Sequence, residues 1–267
     1  MGKDKLRKFR ENETFACLVQ PATDQVLGCD HPLKGHWGEK MFGNDKPIVL
    51  ELGCGKGEYT IALAERNPGR HYIGVDIKGA RLWKGAKYAT EHHMGNVSFL
   101  RTRVEFITAF FAPGEVSEIW LTFSDPQFRS ENSRLTSPPF LERYRKFLKK
   151  GGVVHLKTDS RFLHEYTRAV CEANGLEILA CTQDLYADAG AYPEELTSVQ
   201  TFYEKMFLEQ DYSITYLSFV IDHEGEYVHP GFDADYWRSV EGDRRIFGHD
   251  TAETRRRKLS RGDSERK

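Results

Sequence analysis

Three glycines at alternate positions close the segment Ile48-Val-Leu-Glu-Leu-Gly-Cys-Gly-Lys-Gly57, immediately after an apolar run that contains one acid, Glu51. Gly53, Gly55 and Gly57 let the backbone turn sharply and come close to a ligand, and the helical pattern that follows from Tyr59 offers free N–H groups. The chemistry of such a corner is the binding of a nucleotide-type ligand at the carboxyl end of a buried strand. A carboxylate there would repel a phosphate. Glu51 therefore suits a ligand that carries positive charge and no phosphate, S-adenosylmethionine rather than NAD or ATP. The plain alternative is a capped strand-turn-helix corner with no ligand.

A second apolar run, His71-Tyr-Ile-Gly-Val-Asp76, also ends in an acid, about 20 residues past the glycines. At that spacing a carboxylate reaches the ribose hydroxyls of an adenosine and accepts from both. Asp76 could instead cap the next helix. Two further acids follow apolar runs, Asp125 in Phe123-Ser-Asp-Pro-Gln127 and Asp159 in Lys157-Thr-Asp159. Asp125-Pro126 makes a rigid turn that would present a carboxylate to the donor groups of a purine edge, or simply a turn cap.

Such acids gather at one edge only if the strands run parallel. Strands are expected at 48–52, 71–76, 97–102, 118–123, 153–159, 176–181 and 213–221, with helices at 59–65, 79–91, 105–111, 138–149 and 162–174. Their alternation predicts an α/β fold, a doubly wound and mostly parallel seven-stranded sheet whose ligands lie beyond the strand carboxyl ends. Residues 1–46 are expected as an N-terminal extension, 47–222 as the ligand-binding α/β domain, and 223–267 as a polar, partly disordered tail, irregular after Gly231 with Trp237 and Phe247 as its few anchors.

Of 267 residues, 39% are hydrophobic and 29% charged, the balance of a folded water-facing chain with a sizeable core. No apolar run approaches the roughly 20 residues of a membrane span, and the charged N-terminus has no secretory apolar stretch. Five irregularly spaced cysteines form neither a disulfide framework nor a CxxC metal pattern, and the histidines lack ligand spacing. The expectations are a cytoplasmic location, no membrane, no metal, and a monomer or homodimer. Net charge is −2, yet five Lys or Arg fall in the first ten residues and seven in the last thirteen. Such ends gather phosphates or are merely solvated.

Taken together, these stretches resemble the tRNA (guanine-N7-)-methyltransferase family. Lys5-Leu-Arg-Lys-Phe-Arg-Glu-Asn-Glu13 and His31-Pro-Leu-Lys-Gly35 are similar to its lead-in, and Glu51 to Gly57 with Gly74-Val-Asp-Ile-Lys-Gly79 to its two cofactor motifs. Ala112 to Val116, Phe123 to Pro126, Arg134-Leu-Thr-Ser137, Lys157-Thr-Asp159 and Thr201-Phe-Tyr-Glu-Lys205 look like its substrate-side blocks. The resemblance runs from about residue 5 to about 220 and implies a Rossmann-like class I methyltransferase that moves a methyl group from S-adenosylmethionine to N7 of guanine at position 46 of tRNA. It implies Glu51, Gly53, Gly55 and Asp76 on the cofactor, Asp125 between cofactor and guanine, and Asp159, Thr201 and Glu204 on the substrate. Where the family has an acid near the adenine this chain has Arg103, so main-chain contact from Arg103 or Val104 is expected there. Where the family has Trp and a basic cluster, this chain has Gln127-Phe-Arg-Ser-Glu-Asn-Ser-Arg134, with Arg129 at a substrate-binding lysine's position. RNA phosphates are then expected on Arg129, Arg134, Lys157 and the N-terminal Lys and Arg residues. The other readings are a class I methyltransferase acting on a small molecule or protein, and a catalytically silent RNA-binding or partner subunit.

Overall fold

A computed structural model describes residues 2–241. In chain order the elements are α1 (Gly2–Asn12), β1 (Leu18–Val19), β2 (Ile48–Leu52), α2 (Glu58–Arg66), β3 (His71–Asp76), α3 (Gly79–Glu91), β4 (Val97–Arg101), β5 (Val116–Thr122), α4 (Pro138–Tyr144), β6 (Leu148–Thr158), α5 (Arg161–Ala173), β7 (Ile178–Thr182), α6 (Glu195–Ser198), α7 (Phe202–Leu208), β8 (Thr215–Val220) and α8 (Ala234–Glu241). The sheet order is β1-β4-β3-β2-β5-β6-β8-β7. All pairings from β1 to β6 are parallel, and β8 inserts antiparallel between β6 and β7. The carboxyl ends of β2, β3, β5 and β6 therefore share one edge.

β2 and β3 are buried along their whole length because helices cover both faces. One face packs Leu50, Ile73, Leu121 and Leu156 under α4 and α5; the other packs Val49, Tyr72, Phe99 and Trp120 under α2 and α3. This is the doubly wound class the alternation predicts, with eight strands instead of seven. The addition is β1, only two residues long, which pairs with Phe99 and Leu100 at the edge. A pair that short leaves no periodic signal.

At one helix–strand junction the structure departs clearly from expectation. The helix predicted over 138–149 ends at Tyr144, although Phe147 and Leu148 continue its apolar stripe. Leu148 pairs instead with Val116, and Gly151, at φ 71°, carries the chain through the irregularity before Val153 meets Glu118. Sheet pairing at a long sequence separation overrides local helical preference.

Residues 2–46 are built into the fold as well. Trp37 is fully buried with its Nε1 donating to the Phe110 carbonyl at 2.8 Å, and α1 lies on α3 with Asn12 donating to the Gly79 carbonyl at 2.9 Å. Regular structure also passes residue 222. Asp233 accepts from the Tyr236 N–H at 2.9 Å and so starts α8, which packs on α5. The irregular tail is thus corrected for this part, while Phe247 and the basic run 255–267 lie outside the described residues.

Candidate active site

The glycine turn between β2 and α2 is left-handed at Gly53 (φ 82°), Gly55 (58°) and Gly57 (72°). The ring of Phe99 explains the third: a Cβ on Gly57 would lie 2.4 Å from it, and Gly74 and Gly85 face the same ring at 2.8 and 2.5 Å. Above Gly53 and Gly55 a Cβ would meet nothing, so the turn opens onto free space. Asp76 fastens it, accepting from the Gly55 N–H at 3.0 Å with one oxygen and from the Lys78 N–H at 2.7 Å with the other. Each carboxylate oxygen retains a lone pair for a further donor.

Glu51 sits behind this turn, 4% exposed. One oxygen accepts from the Thr60 N–H at 2.8 Å and from the Thr60 hydroxyl, and the other from the Thr122 hydroxyl. Burial pushes its carboxyl up to about 7, against the pull of these donors and with a further push from the charge of Asp76. Three protein donors hold its carboxylate inside the fold.

The chain leaving β5 is held in two uncommon conformations. Phe123 (φ 51°) and Gln127 (φ 47°) are both left-handed, and they bracket Asp125, whose Oδ1 accepts from the Gln127 N–H at 2.9 Å. Non-glycine residues persist in that region only where surrounding structure imposes it, and such positions concentrate at functional sites. Asp125 and Arg129 are exposed, Asp159 is half-buried, and the Ser124 hydroxyl is buried with no hydrogen-bond partner. An orphaned hydroxyl, an open glycine turn and an acid beside it fit an adenosine-bearing ligand.

The remaining expected residues divide. Arg103 precedes the short helical turn Val104–Ala109, and its exposed side chain pairs with Glu105 at 3.0 Å. Thr201 caps α7: its hydroxyl accepts from the Glu204 N–H, and the Glu204 carboxylate accepts from the Thr201 N–H. That carboxylate is fully buried on Lys157 Nζ, 2.6 Å away, and also accepts from the Tyr186 hydroxyl at 2.7 Å.

Three expectations of surface contact are thereby corrected. Glu204, expected on the substrate, is fully buried and its carboxylate is held by the ion pair. Lys157 is likewise enclosed, donating to Glu204 and the Val199 carbonyl. Arg134 is 3% exposed, its guanidinium lying over Phe162 and Tyr166 at 4.7 and 4.2 Å. A buried lysine or arginine cannot be told from a surface one by sequence.

Sequence reasoning missed how α7 joins the two turns. Glu58, at the start of α2, accepts from the Phe202 N–H at 3.0 Å, and Lys56 lies over the Phe202 ring at 5.2 Å. At its other end Phe207 stacks on Phe123 at 6.2 Å. The available signal was the pair Phe202-Tyr203, two half-exposed aromatics inside a capping box.

The chain is similar to known proteins over most of its length. A family model described as "Putative methyltransferase" matches residues 45–217. A tRNA (guanine-N(7)-)-methyltransferase of Christiangramia forsetii is 51% identical over 222 residues, 82% of this chain and 99% of that protein. Those of Porphyromonas gingivalis and Bacteroides fragilis are 48% and 45% identical over 87% and 92% of this chain and 97% of each relative. Among solved structures, the 16S rRNA methyltransferase KamB superposes with a TM-score of 0.53 at 18% identity, over 68% of this chain and 91% of its own, which supports the fold alone. With its glycine turn, its strand-end acids and these relatives, the chain belongs to the tRNA (guanine-N7-)-methyltransferase family.

Proposed function

We propose that this protein transfers a methyl group from S-adenosylmethionine to N7 of a guanine in the variable region of tRNA, at position 46. One observation carries the reading: Glu51 ties the glycine turn to the strand that ends in the strained Asp125 turn, so cofactor side and substrate side form one unit. The cofactor, when bound, supplies an electrophilic methyl on a cationic sulfonium. Guanine N7 has an exposed lone pair and no proton to remove, so alignment and field carry the catalysis rather than general acid–base chemistry. Asp76 holds the ribose hydroxyls. The main chain of Arg103 and Val104 lines the adenine. Glu51 supplies negative potential behind the sulfonium.

Asp125 orients the guanine through its donor edge and favours the positive charge that develops on the base. Asp159 and the Thr201 end of α7 line the substrate side, and Arg129 meets a backbone phosphate. Such a reading implies the cytoplasm as the working place. Among the described residues no helix is long and apolar enough to cross a membrane. Incubation with labelled S-adenosylmethionine and unmodified tRNA, followed by mapping of the methylated nucleotide, tests it. Label should appear at guanine 46 and vanish when that base is adenine. Label on a protein or metabolite, or none despite cofactor binding, would favour the other class I reading or the silent subunit.

A further inference from the structure

The substrate side depends on two stretches of chain. One is the loop after β5, which carries Asp125 and Arg129; the other is the start of α5, just past Asp159. Phe128 and Arg134, on either side of Arg129 in sequence, seat the loop on two rings of α5. Phe128 meets Phe162 edge-on at 4.9 Å, and the Arg134 guanidinium lies over Phe162 at 4.7 Å and Tyr166 at 4.2 Å. Burial withdraws this cation from water, and the ring faces compensate part of that loss.

The same two rings are gripped by the chain beyond β8. Residues 228–241 run the length of α5, from its C-cap back to its first turn. Asn174, that C-cap, donates to the Val228 carbonyl at 2.9 Å and accepts from the Val228 N–H at 2.7 Å. Phe232 then meets Phe162 and Tyr166 edge-on at 5.3 and 5.4 Å, and Trp237 of α8 stacks on Phe232 at 6.4 Å. The buried Glu241 accepts from the Phe162 N–H at 2.8 Å, which closes the run at the carboxyl edge of the sheet. His229 reaches the loop directly, its Nδ1 lying 3.1 Å from Oε1 of Glu131. Loop and C-terminal segment thus share one aromatic cluster, and close packing passes a shift in one to the other.

We propose that residues 228–241 brace the substrate side, with Phe232, Trp237 and Glu241 as positioning residues that hold Asp125, Arg129 and Asp159 in register for the target guanine. They act through Phe162, Tyr166 and the loop, not by contact with RNA. The inference rests on the RNA reading above. A transfer that depends on alignment rather than proton movement is sensitive to such support, since a shift of about 1 Å at the reacting groups can cost about a hundredfold in rate. The glycine turn and Asp76 belong to β2 and β3 instead, so cofactor binding is a separate readout.

Full-length variants test it: Phe232→Ala, Trp237→Ala, the conservative Trp237→Phe, and Val97→Ala in β4 as a control for packing lost elsewhere in the core. Each is read by single-turnover methylation of unmodified tRNA at saturating cofactor, calorimetry with S-adenosylmethionine, a melting curve, and trypsin cleavage after Arg129 and Arg134. Phe232→Ala and Trp237→Ala should slow methyl transfer by about ten- to a hundredfold per folded molecule and speed cleavage in the loop, with cofactor affinity at the parent's value. Trp237→Phe keeps a ring on Phe232 and should recover most of the rate. Val97→Ala should lower the melting temperature without slowing transfer. Parent-like transfer by both alanine variants would overturn the brace. So would an equal slowing in Val97→Ala, or a loss of cofactor affinity that matches the loss of rate. A parent chain that neither binds nor methylates tRNA would overturn the RNA reading itself, and the brace with it.

Discussion

The Thr122 hydroxyl donates to the buried carboxylate of Glu51, and so joins the end of β5, one residue before the strained Asp125 turn, to the strand that opens the glycine turn. With Thr60 on the other oxygen, one carboxylate clamps β2, α2 and β5. Burial raises its pKa to about 7. In the ligand-free protein a raised carboxyl contributes its stability in full below its ordinary 4.5 and loses it as pH rises through about 7.

A cationic ligand reverses that preference, since it favours the ionised form. S-adenosylmethionine should bind more tightly as pH rises from 6 to 8, by up to about tenfold, with proton release on binding. Calorimetry in buffers of different ionisation heat reads both quantities. Glu51→Gln should flatten the dependence, and the product S-adenosylhomocysteine, whose sulfur is a neutral thioether, should show less of it. Equal affinity of the parent at both pH values would remove Glu51 as the source of the field.

Asp76 should carry direct contact with the cofactor. Asp76→Ala removes a charged hydrogen-bonding group and frees the Gly55 and Lys78 N–H groups, at a cost of roughly 1.5–3 kcal/mol in cofactor affinity. A titration that finds parent-like binding would show that the acid only fastens the turn.

At Asp125 charge and shape can be separated. Asp125→Asn retains an oxygen for the Gln127 N–H but loses the charge and aims an amide donor at guanine's own donors. Single-turnover methyl transfer should drop about a hundredfold, with melting temperature and cofactor binding close to the parent. A turn cap alone predicts parent-like transfer per folded molecule, and that result would sink the assignment.

The Lys157–Glu204 pair should behave as structure. Lys157→Met leaves a fully buried carboxylate without its cation and should cost about 3–5 kcal/mol, read as a lowered denaturant midpoint. The salt slope of tRNA binding by the folded protein should not move. A stable variant with a flatter slope would return Lys157 to the RNA surface.

The alternation of strands and helices, the glycine turn and the acids at 51, 76, 125 and 159 could be read from sequence because each depends on neighbours close along the chain. Apolar runs mark buried parallel strands, left-handed turns demand glycine, and parallel pairing brings the strand-end acids to one edge. Other features depend on partners distant in sequence, and only the tertiary structure decided them. Leu148 became a strand because Val116 was there to pair with, and Lys157 went inside because Glu204 met it across 47 positions. Arg134 was taken from solvent by Phe162 and Tyr166, and α8 found its place through Trp237 on Phe232 and the hydrogen bond that Glu241 accepts from the start of α5. A charged residue reads the same in sequence whether water or a buried counter-charge solvates it; the fold supplies the partner and so decides which.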